Sequence, residues 1–96
     1  MPLNYRIDPE RVRIRETTND DDVEFELTFL QDEPLLSKMR EVQKRFEDND
    51  VYTDVLFYLN QDQERQYKII VRKDFYADFL LALLKYRILE GLEWAE

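Results

Sequence analysis

Ninety-six residues with a net charge of −8, no Cys, no His and a single Gly bound what this chain can do. They exclude a disulfide framework, thiolate or imidazole catalysis, and a Gly-rich phosphate loop. An apolar fraction of 44%, with six Phe, six Tyr and one Trp, is enough for one modest core and argues for a single folded α+β domain over 1–96.

The chain opens on Met1-Pro2-Leu3-Asn4-Tyr5-Arg6, which lacks the hydrophobic region of a signal peptide. No apolar run approaches the ~18 residues of a membrane span. The cytoplasm is the expected location, with no membrane partner. Residues 11–16, Arg-Val-Arg-Ile-Arg-Glu, alternate strictly and predict a half-buried strand with Val12 and Ile14 inward. Thr17 to Asp22 reads as a turn. Val23 to Leu30 alternates again, with Val23, Phe25, Leu27 and Phe29 on one face and Glu24, Glu26 and Thr28 on the other. The two strands form an expected antiparallel hairpin, with Arg11, Arg13 and Arg15 set opposite Glu24 and Glu26.

Asp32-Glu33-Pro34 signals a helix start, since Pro lacks a donor that would be unpaired there and acids suit the positive end of the helix dipole. Leu35, Leu36, Met39, Val42 and Phe46 make its apolar stripe. Asp48-Asn49-Asp50 is the expected end. A second hairpin follows: a strand over 54–59, a polar turn from Asn60 to Glu64, and a strand over 66–72. From Phe75 to about Leu92 the pattern predicts one long helix. The expected architecture is a two-layer ββαββα sandwich, a mainly antiparallel four-stranded sheet with two helices on one face.

Two features break the pattern of a lone domain. The second hairpin carries Leu56, Tyr58 and Ile70 on what should be its wet face. The last helix is apolar over most of its circumference, with Tyr76, Leu80, Leu84 and Ile88 forming one stripe and Leu92 and Trp94 extending it. Such an excess in a short chain points to a surface shared between chains, most simply a two-fold dimer.

Candidate chemistry is sparse. Asp20, Asp21 and Asp22, or Glu47, Asp48, Asp50 and Asp54, offer oxygen ligands, but neither run has the spacing of a calcium-binding loop, and solvated turns explain both. Ser37 is the lone serine and has no His to activate it. A nucleophilic lysine needs desolvation; Lys68 and Lys73 fall near a strand that could be partly covered, but nothing marks either. No cofactor or metal is expected. Arg11, Arg13 and Arg15 form the best anion-binding row, and residues 19–33 hold seven acids and no base. The favoured reading is a non-catalytic, regulatory or protein–protein interaction module, homodimeric through the second hairpin, the C-terminal helix or both, that docks another protein. The alternative is a nucleic-acid-related protein, either an Arg-strand phosphate binder or an acidic DNA mimic, although the net negative charge opposes nucleic acid as a partner.

Overall fold

The computed structural model describes residues 3–31, 34–47, 55–59 and 65–95. The expected turns at 48–50 and 60–64, and Asp54 at the start of the fourth strand, lie outside them, as do Asp32 and Glu33. The described elements run β1 (Leu3–Arg6), β2 (Val12–Thr18), β3 (Asp22–Phe29), α1 (Leu35–Glu47), β4 (Val55–Leu59), β5 (Gln66–Arg72), a 3₁₀ turn (Lys73–Phe75), α2 (Tyr76–Lys85) and β6 (Gly91–Trp94). The class is α+β, with two helices, a four-stranded antiparallel sheet and a separate two-stranded sheet. The order differs from the expected ββαββα because β1 and β6, at opposite ends of the chain, pair with each other.

The large sheet has the order β2-β3-β5-β4, antiparallel throughout. Alternation delivers one face to the core: Val12, Val23, Phe25, Leu27, Phe29, Val55, Tyr67, Ile69 and Val71 are all buried. The β2–β3 hairpin closes over Asn19 to Asp22, where the Asn19 amide and side chain donate to the Asp22 carbonyl and carboxylate, each at 2.8 Å. The Asp22 carboxylate thus serves the turn itself.

Helix α1 follows Pro34, whose carbonyl accepts the first helical bond, from Lys38, at 3.1 Å. It buries Leu35, Met39 and Val42, the core of the stripe read from the sequence. Phe79 of α2 joins the elements. Its ring lies 5.0 Å from Phe25, 6.1 Å from Phe46 of α1 and 6.3 Å from Phe57 of β4, so four elements meet in one aromatic cluster. Each such ring pair adds about 0.5–1.5 kcal/mol beyond its buried area.

The long C-terminal helix is corrected by the structure. Helix α2 ends at Lys85, not near Leu92. Arg87 adopts a left-handed φ of 63°. The Arg87 amide then bonds the Leu84 carbonyl at 3.0 Å and the Ile88 amide bonds the Leu83 carbonyl at 2.9 Å, a paired closure that stops a helix and turns the chain. Ile88 and Leu89 fold back into the core at 2% exposure each. The chain then enters β6, where Gly91 faces Arg6 and leaves room for its guanidinium, which a β-carbon would strike.

A left-handed arginine costs about 1–2 kcal/mol that glycine does not incur. Arg87→Gly is therefore expected to stabilise the fold, by about 0.5–1 kcal/mol after glycine's larger unfolded-state entropy is counted. Urea unfolding midpoints check this; an unchanged or lower midpoint contradicts the closure described.

Candidate functional site

The sheet's outer face is ordered in cross-strand rows. One row runs Arg15, Glu26, Lys68, Tyr58; the next runs Thr17, Glu24, Ile70, Leu56. Charge therefore occupies the β2–β3 side and apolar surface the β4 side. Arg15 meets Glu26 at 3.9 Å with its own side chain 82% exposed, and Lys68 meets Glu24 at 3.5 Å. Pairs this wet are each worth under about 1 kcal/mol.

The arginine row is only partly matched by acids. Arg15 stands opposite Glu26 as expected, but Arg13 stands opposite Thr28, and Arg11 precedes the strand. Glu24 takes its partner from β5, namely Lys68. The row does not form a run of three aligned guanidinium groups.

At the other edge the register puts Leu56 directly opposite Ile70, and Tyr58 opposite Lys68. Leu56 is 38% exposed, Tyr58 50% and Leu59 55%, while Ile70, flanked by strands on both sides, is half-buried. Strand β4 is the last strand of the sheet, and no described strand lies beyond it. Its five residues, Val-Leu-Phe-Tyr-Leu, hold no charge. The opposite edge, β2, carries Arg13, Arg15 and Glu16. Exposed edges normally hold charges or Pro that discourage pairing with another chain. One edge of this sheet is protected in that way and the other is not.

The surface expected on α2 is smaller than its sequence implied. Leu80 is fully buried and Ile88 nearly so, each enclosed by its own chain, so neither offers area to a second one. Leu84 and Leu92 are half-buried and line a shallow apolar groove of about 190 Å³ with Leu3, Ala77, Leu81, Glu93 and Trp94. Leu81 and Trp94 are the exposed apolar residues there. A second cleft, of about 420 Å³, is lined by Arg45, Phe46, Phe75, Asp78, Leu81, Ala82 and Lys85. Among the described residues, no three acidic side chains converge as a metal site would require.

Tyr76 has a different role from the one its helical stripe implied. Its ring stacks on Phe25 at 6.0 Å and its hydroxyl donates to Glu16 at 3.2 Å. Tyr5 of β1 donates to the same carboxylate at 3.3 Å. Glu16 falls on the inward phase of β2, opposite Phe25. Glu16 itself is exposed, so the two hydroxyls bond a solvated carboxylate, and the arrangement ties β1, β2 and α2 together. Protein-family models, curated proteins and solved structures were all compared with the chain, and none matches it.

Burial pushes both hydroxyls up, and the Glu16 charge adds to the effect; Tyr76 is raised from 10.0 to about 12, and Tyr5 is raised further. A raised folded-state pKa means the folded form holds its proton longer. The stabilising contribution is complete below pH 10 and is lost as pH climbs from 10 through 12. Urea midpoints measured at pH 8 and pH 11 should therefore fall in the wild type, and should fall less in a Tyr5→Phe, Tyr76→Phe double variant. Equal drops in the two proteins would remove the two tyrosines as the cause.

Proposed function

We propose that this chain is a non-catalytic interaction module that works as a homodimer in the cytoplasm, with the second hairpin as its association surface. Both helices are taken to cover the face of the sheet that carries Phe25 and Phe57, which leaves the opposite face and the open edge for a partner. The observation that carries the reading is the apolar end of the sheet: Leu56 and Tyr58, on the uncharged edge strand β4, are exposed beside Ile70 on the outer face. Covering such surface is favourable by roughly 25 cal/mol per Å², and aromatic anchors rimmed by charge are a common way for interfaces to gain affinity. Here Lys68, Glu24 and Glu26 supply the rim. The non-catalytic part of the reading rests on composition, because a chain without His or Cys, with one Ser and one Gly, lacks the usual nucleophile–base pairs and phosphate cradles.

Light scattering coupled to size exclusion tests it. At high micromolar concentration the wild type is expected at twice its 11.8 kDa chain mass. Tyr58→Glu is expected at the single-chain mass with an unchanged circular dichroism spectrum, since Tyr58 is half exposed. Leu81→Glu, on the other apolar surface, should remain dimeric. A wild type that stays at 11.8 kDa overturns the reading.

A further inference from the structure

Two copies of the molecule can meet at the second hairpin face to face or edge to edge. We infer that they meet edge to edge: β4 pairs antiparallel with β4 of a second copy about a two-fold axis centred on Phe57, making one continuous eight-stranded sheet. This rests on the association surface proposed above and adds its geometry.

Three observations lead there. First, charge: each copy carries −8, so like-charged surfaces repel wherever acids meet, and Val55 to Leu59 is a described edge with no charge at all. Second, closure: β2, the other edge, presents Arg13, Arg15 and Glu16. Pairing β4 with β2 of another copy would set those groups against an apolar strand and, being head-to-tail, would propagate into an open chain. Pairing β4 with itself closes after two copies.

Third, register. Opposite residues in an antiparallel pair point to the same face. A two-fold axis through the pair must therefore pass through a residue, not between residues. Centring on Phe57 pairs all five residues: Val55 with Leu59 of the second copy, Leu56 with Tyr58, and Phe57 with itself. Centring on Leu56 or Tyr58 pairs only three of the five described residues. In the full register every cross-strand pair is apolar on apolar. The outer face then carries an unbroken band, Ile70, Leu56 and Tyr58 from each copy, flanked on both sides by the charged rows.

The chain has no native thiol, so an introduced cysteine reports without background. Directly opposite residues bring their β-carbons within about 4.5–5.5 Å, whereas diagonal neighbours lie about 7–8 Å apart, beyond easy disulfide reach. A Leu56→Cys protein mixed with a tagged Tyr58→Cys protein is therefore expected to form a mixed disulfide dimer under mild oxidation at least ~5-fold faster than either protein alone, read on a non-reducing gel. Self-cross-linking of either variant at the rate of the mixture overturns the register. Absence of cross-linking in a mixture that light scattering shows to be dimeric overturns the edge-to-edge mode while leaving dimerisation standing. A wild type that is monomeric at high micromolar concentration instead removes the underlying reading. Should the cysteine variants dissociate, isotope-filtered NMR on a mixture of labelled and unlabelled wild type decides the register. Contacts between Leu56 methyls and the Tyr58 ring of the other copy are expected, and their absence in a dimeric sample overturns it.

Discussion

Everything on the inner side of this molecule depends on Phe79. It is fully buried and touches Phe25 of the central sheet, Phe57 of the edge strand and Phe46 of the first helix. A chain of this size has a limited interior, and aromatic rings from four elements meet within it, among the aliphatic side chains of the sheet and helices. Once they are in place, Ile88 and Leu89 complete the enclosure from the turn that follows α2. On the opposite face the apolar side chains cluster at one end, Leu56 and Tyr58 on β4 beside Ile70 on β5.

Much of this was legible in the sequence, and the failures have physical causes. The alternation of Val12, Ile14 and then Val23 to Phe29 located the first hairpin because a strand's side-chain period is two. The stripe from Leu35 to Phe46 located α1 for the corresponding helical reason. Strands β1 and β6 were missed because four-residue strands carry almost no periodic signal and their pairing joins the chain's opposite ends. The end of α2 was missed because the usual marker, a glycine in the left-handed position, is absent: Arg87 occupies it. Ile88, Leu89 and Leu92 then continue a helical pattern by coincidence, since a turn that buries two successive residues also reads as apolar.

The candidate surface divides along the same line. Leu56, Tyr58 and Ile70 were legible because they break strand alternation, and the register places them together at one end of the sheet. Leu80, on the core side of α2, and Ile88, in the turn that follows it, are buried in their own chain, which a helix apolar all round does not reveal in the sequence. The bonding of Tyr5 and Tyr76 to Glu16 has one signal in the sequence: Glu16 continues the phase of Val12 and Ile14, opposite Phe25, although its carboxylate is exposed.

The two edges of one sheet differ in charge. Strand β2 carries the charges that keep edges apart and β4 carries none; the dimer we propose would cover the uncharged edge. Amide hydrogen exchange read residue by residue across a dilution series tests that difference most directly. Protection is expected to rise with protein concentration at amides within 55–59 and to stay constant across 12–18. Exchange at β4 that is fast and independent of concentration, like that of any solvated edge, would contradict it.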